Sequence, residues 1–355
     1  MRKLIVLICI ILTSNLTNSQ SNVFKAVING DVQFIANYIK EGKDLNVLYK
    51  ATAVDEYDQK KISYSFDLLE YAAIHEKTDI IKLFLTNKDK FKDFQHSLNQ
   101  AFAASISKGN LDIVKLLIDS GADINSVCEV CYQQTAIHTS IEYSYFDIFN
   151  FLLEKGANIK THNSFGRTLL HSVAHTGNVE IAKQLIDKGL DVNAQDNDGA
   201  TPLIYAASNG NYPMFKMLPD KGAELSIKEN DGNDVLMNAI ENGNLDIVNF
   251  LIDKCSNINA TNNDEETALI YAAALKKPEI VKLLLAKGAD INLVNKKGES
   301  ALLWAIWNND VELATLIIDN GADLTIMDYL KPAKKYIKDK AFIENLKNKI
   351  EVKEE

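Results

Sequence analysis

The sequence predicts an all-α repeat solenoid of about nine helix pairs followed by a degenerate C-terminal pair, and three observations lead to it. The first is a turn that recurs as "SGADIN", "KGANIK", "KGLDVN", "KGADIN" and "NGADLT". Its Gly falls at Gly121, Gly156, Gly189, Gly222, Gly288 and Gly321. With Lys88 and Cys255 in the same slot, the spacing is 33 throughout, except 35 between Gly121 and Gly156. The second is a helix start twelve residues after most of these turns, "TLLHSVA" from Thr168, "TPLIYAA" from Thr201 and "TALIYAA" from Thr267, with "TAIHTSI" from Thr135 fourteen after Gly121. A Thr there can cap open backbone N–H groups, and Pro202 suits the first helical position. The third is a second helix with apolar residues at helical spacing, as in "NLDIVKLLIDSG", ending on a Gly able to take the left-handed cap.

Taken in chain order, residues 1–19 come first. Arg2 and Lys3 precede an apolar run from Leu4 to Leu12 and then small and polar residues, the layout of a secretory signal peptide cleaved near residue 19 or 20. The run is shorter than the roughly 20 residues that a membrane-spanning helix needs, so no membrane insertion of the mature chain is expected. Cys9 lies inside the run, which leaves Cys128, Cys131 and Cys255. Without the leader the chain carries 36 Lys and Arg against 48 Asp and Glu, a net charge of −12. That acidity argues against a nucleic-acid partner.

Repeats are expected over 20–327, beginning with "NVFKAVINGD" as an N-terminal cap, and 328–355 reads as capping helices with a charged tail. Three irregularities interrupt them. Residues 48–65 read as two alternating segments around an acidic turn, an elongated finger. Pro219 stands three residues before Gly222 and reads as a local bend in the last turn of its helix. Cys255 occupies a left-handed slot in which a side chain costs about 1 kcal/mol relative to Gly. In "CEVC", Cys128 and Cys131 sit in a finger lengthened by two residues. An exported setting favours a disulfide there; two free thiols, or a metal or redox role, are the alternatives.

These signatures, T-P-L-H-x-A, a Gly-Asn corner, an I-V-x-x-L-L helix and a G-A-D-I-N turn, resemble the ankyrin repeat over essentially the whole mature chain. The resemblance implies antiparallel helix pairs joined by β-hairpin fingers, each pair burying its apolar face only against a neighbour. It also implies that His138 and His171 bond to Thr135 and Thr168 and to neighbouring loop backbone. The family's binding surface, made of finger tips and exposed first-helix positions, maps onto Tyr132, Gln134, Glu142 and Tyr143, then Phe165, Arg167 and His175. It continues through Asn197, Asp198, Ala200, Ser208 and Asn209 to Glu241 and Asn242, and ends at Trp307. One slot, four residues after each helix start, holds Tyr71, Tyr205, Tyr271 and Trp304. Tyr and Trp at such positions either pack between helices or anchor a partner.

The chain contains no phosphate-binding loop, nucleophile elbow, zinc-helix or dinucleotide motif, and its carboxylates are scattered rather than paired by a motif. The sequence therefore predicts no enzyme, cofactor or metal. The expected role is a monomeric scaffold, exported to a bacterial periplasm or medium, that binds another protein. A structural or protective envelope factor, an immunity-type inhibitor and a host-directed effector are the rival roles.

Overall fold

The computed structural model describes residues 18–54, 61–128, 134–254 and 257–354. Most of the predicted leader, the tip of the elongated finger, Cys131, Tyr132 and Cys255 lie outside the described residues. Cys128 is described only as backbone. The chain divides into two compact units at Ser172–Val173.

The first unit runs through α1 (Asn18–Asn29), α2 (Val32–Lys40), β1 (Tyr49–Val54), β2 (Lys61–Phe66), α3 (Leu68–Ile74) and α4 (Thr78–Thr86). It continues with α5 (Phe94–Ile106), α6 (Leu111–Asp119), β3 (Val127–Cys128), β4 (Gln134–Thr135), α7 (Ala136–Glu142) and α8 (Phe146–Glu154). The division between the units falls within α9 (Leu169–Thr176). The second unit holds α10 (Val179–Asp187), α11 (Pro202–Ser208), α12 (Tyr212–Asp220), α13 (Val235–Asn242), α14 (Leu245–Lys254), α15 (Ala268–Ala274) and α16 (Pro278–Ala286). It ends with α17 (Ala301–Trp307), α18 (Val311–Asp319), α19 (Leu330–Tyr336) and α20 (Lys340–Glu354).

Within each unit, first helices stack on first helices and second helices on second helices. In the second unit α11, α13, α15 and α17 form one row and α10, α12, α14 and α16 the other. The first helices are short and covered on several sides. Ala206, Ala207, Ala272 and Ala273 are fully buried, and their small size lets neighbouring backbones approach. The second helices are amphipathic: in α14 Ile247, Val248 and Leu251 form one buried stripe. Several of their starts are capped, with Asn178 accepting from Ile181 N at 3.0 Å and Asn211 from Met214 N at 3.0 Å, whereas Lys77, Tyr145 and Lys277 supply no side-chain cap.

The irregular positions have local physical reasons. Tyr49 pairs with Phe66 and Val54 with Lys61, which makes the two alternating segments an antiparallel finger. At Lys88 the chain does not take the left-handed turn; it forms a 3-10 turn over Lys88–Lys90, which a side chain accepts more readily. Pro219 is absorbed into α12. Gly222 N still bonds Pro219 O and Ala223 N still bonds Leu218 O, both at 3.0 Å, as Gly121 and Ala122 do in the first unit. Glu265 takes φ 60° at a finger tip where Gly199, Gly232 and Gly298 stand in neighbouring repeats. Replacing Glu265 by Gly should therefore raise stability by about 0.5–1 kcal/mol, read as a higher urea midpoint at unchanged slope.

The Thr starts behave in two ways. Thr201 and Thr267 accept from the backbone N–H groups of Ile204 and Ile270 at 3.3 Å, and Ser300 accepts from Leu303 N at 3.2 Å. Thr135 makes no such cap: its hydroxyl lies 3.0 Å from His138 Nδ1. Thr168 likewise turns its hydroxyl to His171 Nδ1 at 2.9 Å, and its backbone N–H also donates to that nitrogen at 3.1 Å. The imidazole competes for the hydroxyl, so capping by the Thr side chain is seen where the fourth position is aliphatic.

Candidate recognition face of the second unit

The fingers of the second unit are joined edge to edge. Asn230 N donates to Asp198 O at 2.9 Å, Asn263 N to Asp231 O at 2.9 Å and Lys296 N to Asp264 O at 3.0 Å. Inside the fingers one side chain holds the tip. Asp196 Oδ1 accepts from Asp198 N and Ala200 N, both at 3.0 Å, and Asn295 does the same for Lys297 N and Glu299 N. Glu229 occupies the equivalent place one repeat after Asp196. There Asp231 takes over the turn by accepting from Asn233 N, and the longer Glu229 carboxylate reaches α13.

These finger bases meet the first helices at a fixed interval. Tyr205 Oη donates to Asp196 Oδ2 at 2.8 Å, and Asn238 Nδ2 donates to Glu229 Oε2 at 2.7 Å. Burial pushes the Glu229 carboxyl up, the Asn238 hydrogen bond opposes that, and the charges of Asp231, Asp196 and Asp198 add to it. Burial likewise raises the Tyr271 phenol, with Glu241, Glu266, Asp231 and Glu229 acting in the same direction. Tyr271 thus stays a neutral donor among carboxylates. Further along, the Trp304 and Trp307 rings meet edge to face at 5.3 Å and 83°. Both are half-buried, and Leu275 is 37% exposed.

The residues expected on the binding surface fall in both units. In the first, Tyr143 stacks on Tyr145 at 5.9 Å, and the Arg167 guanidinium lies 4.9 Å from the Phe165 ring centroid. Gln134 and Ala200 are each 4% exposed rather than presented outward. Gln134 Nε2 donates to Glu142 Oε1 at 2.7 Å, and Ala200 is tied down by Asp196. Burial raises the Glu142 carboxyl, against the Gln134 hydrogen bond and the Arg167 charge. In the second unit His175 is exposed with its ring edge toward Tyr205 at 6.5 Å. The Asn197 carbonyl accepts from Asn230 Nδ2 at 2.9 Å. Ser208 and Asn209 both turn back to the Tyr205 carbonyl, while Glu241 and Asn242 are exposed at the end of α13.

Sequence reasoning missed the finger-base row Asp196, Glu229, Asn262 and Asn295. The signal was present: these positions are spaced by 33 and each precedes the aromatic slot by nine. Among the described residues no group of three His, Cys, Asp or Glu side chains is placed to hold a metal ion, and no helix is long and apolar enough to cross a membrane.

The sequence matches the family model for ankyrin repeats (three copies) over residues 69–163, 155–229 and 236–328. It is also similar to a protein of Oryza sativa subsp. japonica named "Probable E3 ubiquitin-protein ligase XBOS33", 37% identical over 81 residues. That stretch is 22% of this chain and 15% of the rice protein, so the chain matches only a small part of that relative's length.

Proposed function

This chain belongs to the ankyrin-repeat family, and from that premise we propose that it is an exported, non-enzymatic scaffold holding one partner protein against its fingers and first helices. The family is typically non-enzymatic and mediates protein–protein binding, which makes the surface rather than a pocket the functional element. One observation carries the reading: Tyr205, Tyr271, Trp304 and Trp307 remain half-buried on the first helices of the second unit, with Leu275 beside them. Half-buried aromatics bring large apolar area at small rotamer cost, the composition of binding hot spots.

The leader at residues 1–19 supports a periplasmic or extracellular setting. Intact mass of the protein from those fractions should show cleavage near residue 19 or 20; a full-length mass would remove the export part of the proposal. Affinity capture with residues 20–355 from the same fractions tests the scaffold. Trp307→Ala should lower recovery of the partner about tenfold, a loss typical of a hot spot. Arg167→Glu, which also reverses the charge over Phe165, probes the first unit in parallel. Equal recovery by all three proteins would sink the scaffold reading.

A further inference from the structure

Charge is segregated in the second unit. Its four finger and first-helix segments, 189–209, 222–242, 255–275 and 288–308, carry 13 Asp and Glu against three Lys. The second-helix segments 178–188, 210–221, 243–254, 276–287 and 309–320 carry nine of each. On that second-helix side charges are neutralised locally: Lys221 pairs with Asp187 at 2.9 Å and Lys287 with Asp253 at 2.6 Å. On the recognition face two of the three lysines are spent on backbone instead. Lys228 Nζ donates to Thr261 O at 2.8 Å, and Lys296 Nζ donates to Asn263 O.

The acids are not alone on this face. Tyr271 lies within the field of Glu241, Glu266, Asp231 and Glu229, and the Trp304–Trp307 pair continues the track one repeat further. Trp304 Nε1 is shielded from solvent and meets no acceptor among the described residues. Aromatic faces beside carboxylates suit guanidinium and ammonium groups, which pair with the acid and stack on the ring.

Resting on the scaffold reading above, we infer that the partner presents to this face an extended segment carrying Lys or Arg at about every third residue. The interval follows from two general lengths. Packed helices lie about 8–10 Å apart. An extended chain advances about 3.3 Å per residue, so one cationic side chain per repeat requires a period near three. Charge complementarity then supplies encounter and register, and the aromatic track supplies contact area.

The test uses the mature full chain, residues 20–355, and the fluorescent peptides (Arg-Ala-Ser)4 and (Glu-Ala-Ser)4 in anisotropy titrations. The basic peptide should bind, with affinity falling about tenfold between 50 and 300 mM salt, and the acidic one should not. The double variant Asp198→Lys, Glu241→Lys should weaken binding at least tenfold. The matched double reversal Asp246→Lys, Glu312→Lys, at two exposed acids on second helices, should leave it within about twofold. No binding of the basic peptide, or equal loss with Asp246→Lys, Glu312→Lys, would overturn the inference, the latter because only net charge would be sensed.

The same variants in the capture assay keep the two proposals apart. Partner recovery lost with Trp307→Ala but kept with the double charge reversal would reject the cationic segment and leave the scaffold standing. Recovery unchanged in both would reject the scaffold. Self-association in sedimentation velocity that the double reversal abolishes would also overturn the inference, since it would place the chain's own lysines at 331–340 on this face.

Discussion

Replacing Tyr329 by Ala should destabilise the second unit by about 3–5 kcal/mol, the cost of removing a buried aromatic ring and leaving its cavity. Tyr329 is 1% exposed and precedes α19, which packs on α17. Its hydroxyl lies 2.9 Å from Ser300 Oγ, the same oxygen that caps α17 through Leu303 N. One ring therefore seals the last repeat and braces its helix start. Burial raises the phenol, the Ser300 hydrogen bond opposes that and Asp323 adds to it, so the group stays neutral. Tyr329→Phe removes only the hydroxyl and should cost about 1 kcal/mol, with Ser300 still free to cap. In a repeat array each unit is stabilised by its neighbours, so Tyr329→Ala should loosen the C-terminal repeats first. Urea unfolding read with amide exchange along α17 to α19 checks this. Equal losses for Ala and Phe would mean that the ring does not seal the stack.

Tyr329 also shows where the sequence was readable. The repeats were legible because the left-handed Gly turns and Thr starts are local demands, restated every 33 residues. The C-terminal tail could be read as a cap, yet nothing local distinguished Tyr329 from an exposed Tyr, because its burial depends on α17. The aromatic slot was legible in position and not in exposure. Tyr71 is 3% exposed because Phe24 and Tyr49 close on it at 5.0 Å, while Tyr205 and Tyr271 in the same slot remain half-buried. Thr135 was expected to cap and does not, since the competing His138 acts three residues away in the same turn. Asp196 and Glu229 look like ordinary turn formers until the first helix places Tyr205 and Asn238 against them.

Acid should destabilise the first unit through His138, and the sign follows from its burial. The ring is fully buried, and desolvation lowers its pKa from 6.5 to about 4; the Arg167 backbone opposes the drop in part, while His162 and His171 add to it. Nε2 closes no hydrogen bond of normal geometry, so the Arg167 backbone offsets only part of the cost of placing a proton there. The unfolded chain takes up the proton near 6.5 and the folded chain only near 4. Between those values the unfolded state binds more protons, and stability is lost as pH falls. The full shift corresponds to about 3 kcal/mol. The chain itself supplies the control, because Ile204 and Ile270 occupy the equivalent position above a Thr that caps the backbone. His138→Ile should free Thr135 to cap in the same way, change stability at pH 7 by about 1 kcal/mol, and flatten the loss between pH 6.5 and 4. Glu142 works in the opposite direction, since its raised carboxyl favours the folded state as pH falls, so the comparison must be the difference between wild type and His138→Ile rather than either curve alone. Urea midpoints of both proteins across that range decide it. Parallel curves would show that the buried imidazole does not carry the acid sensitivity.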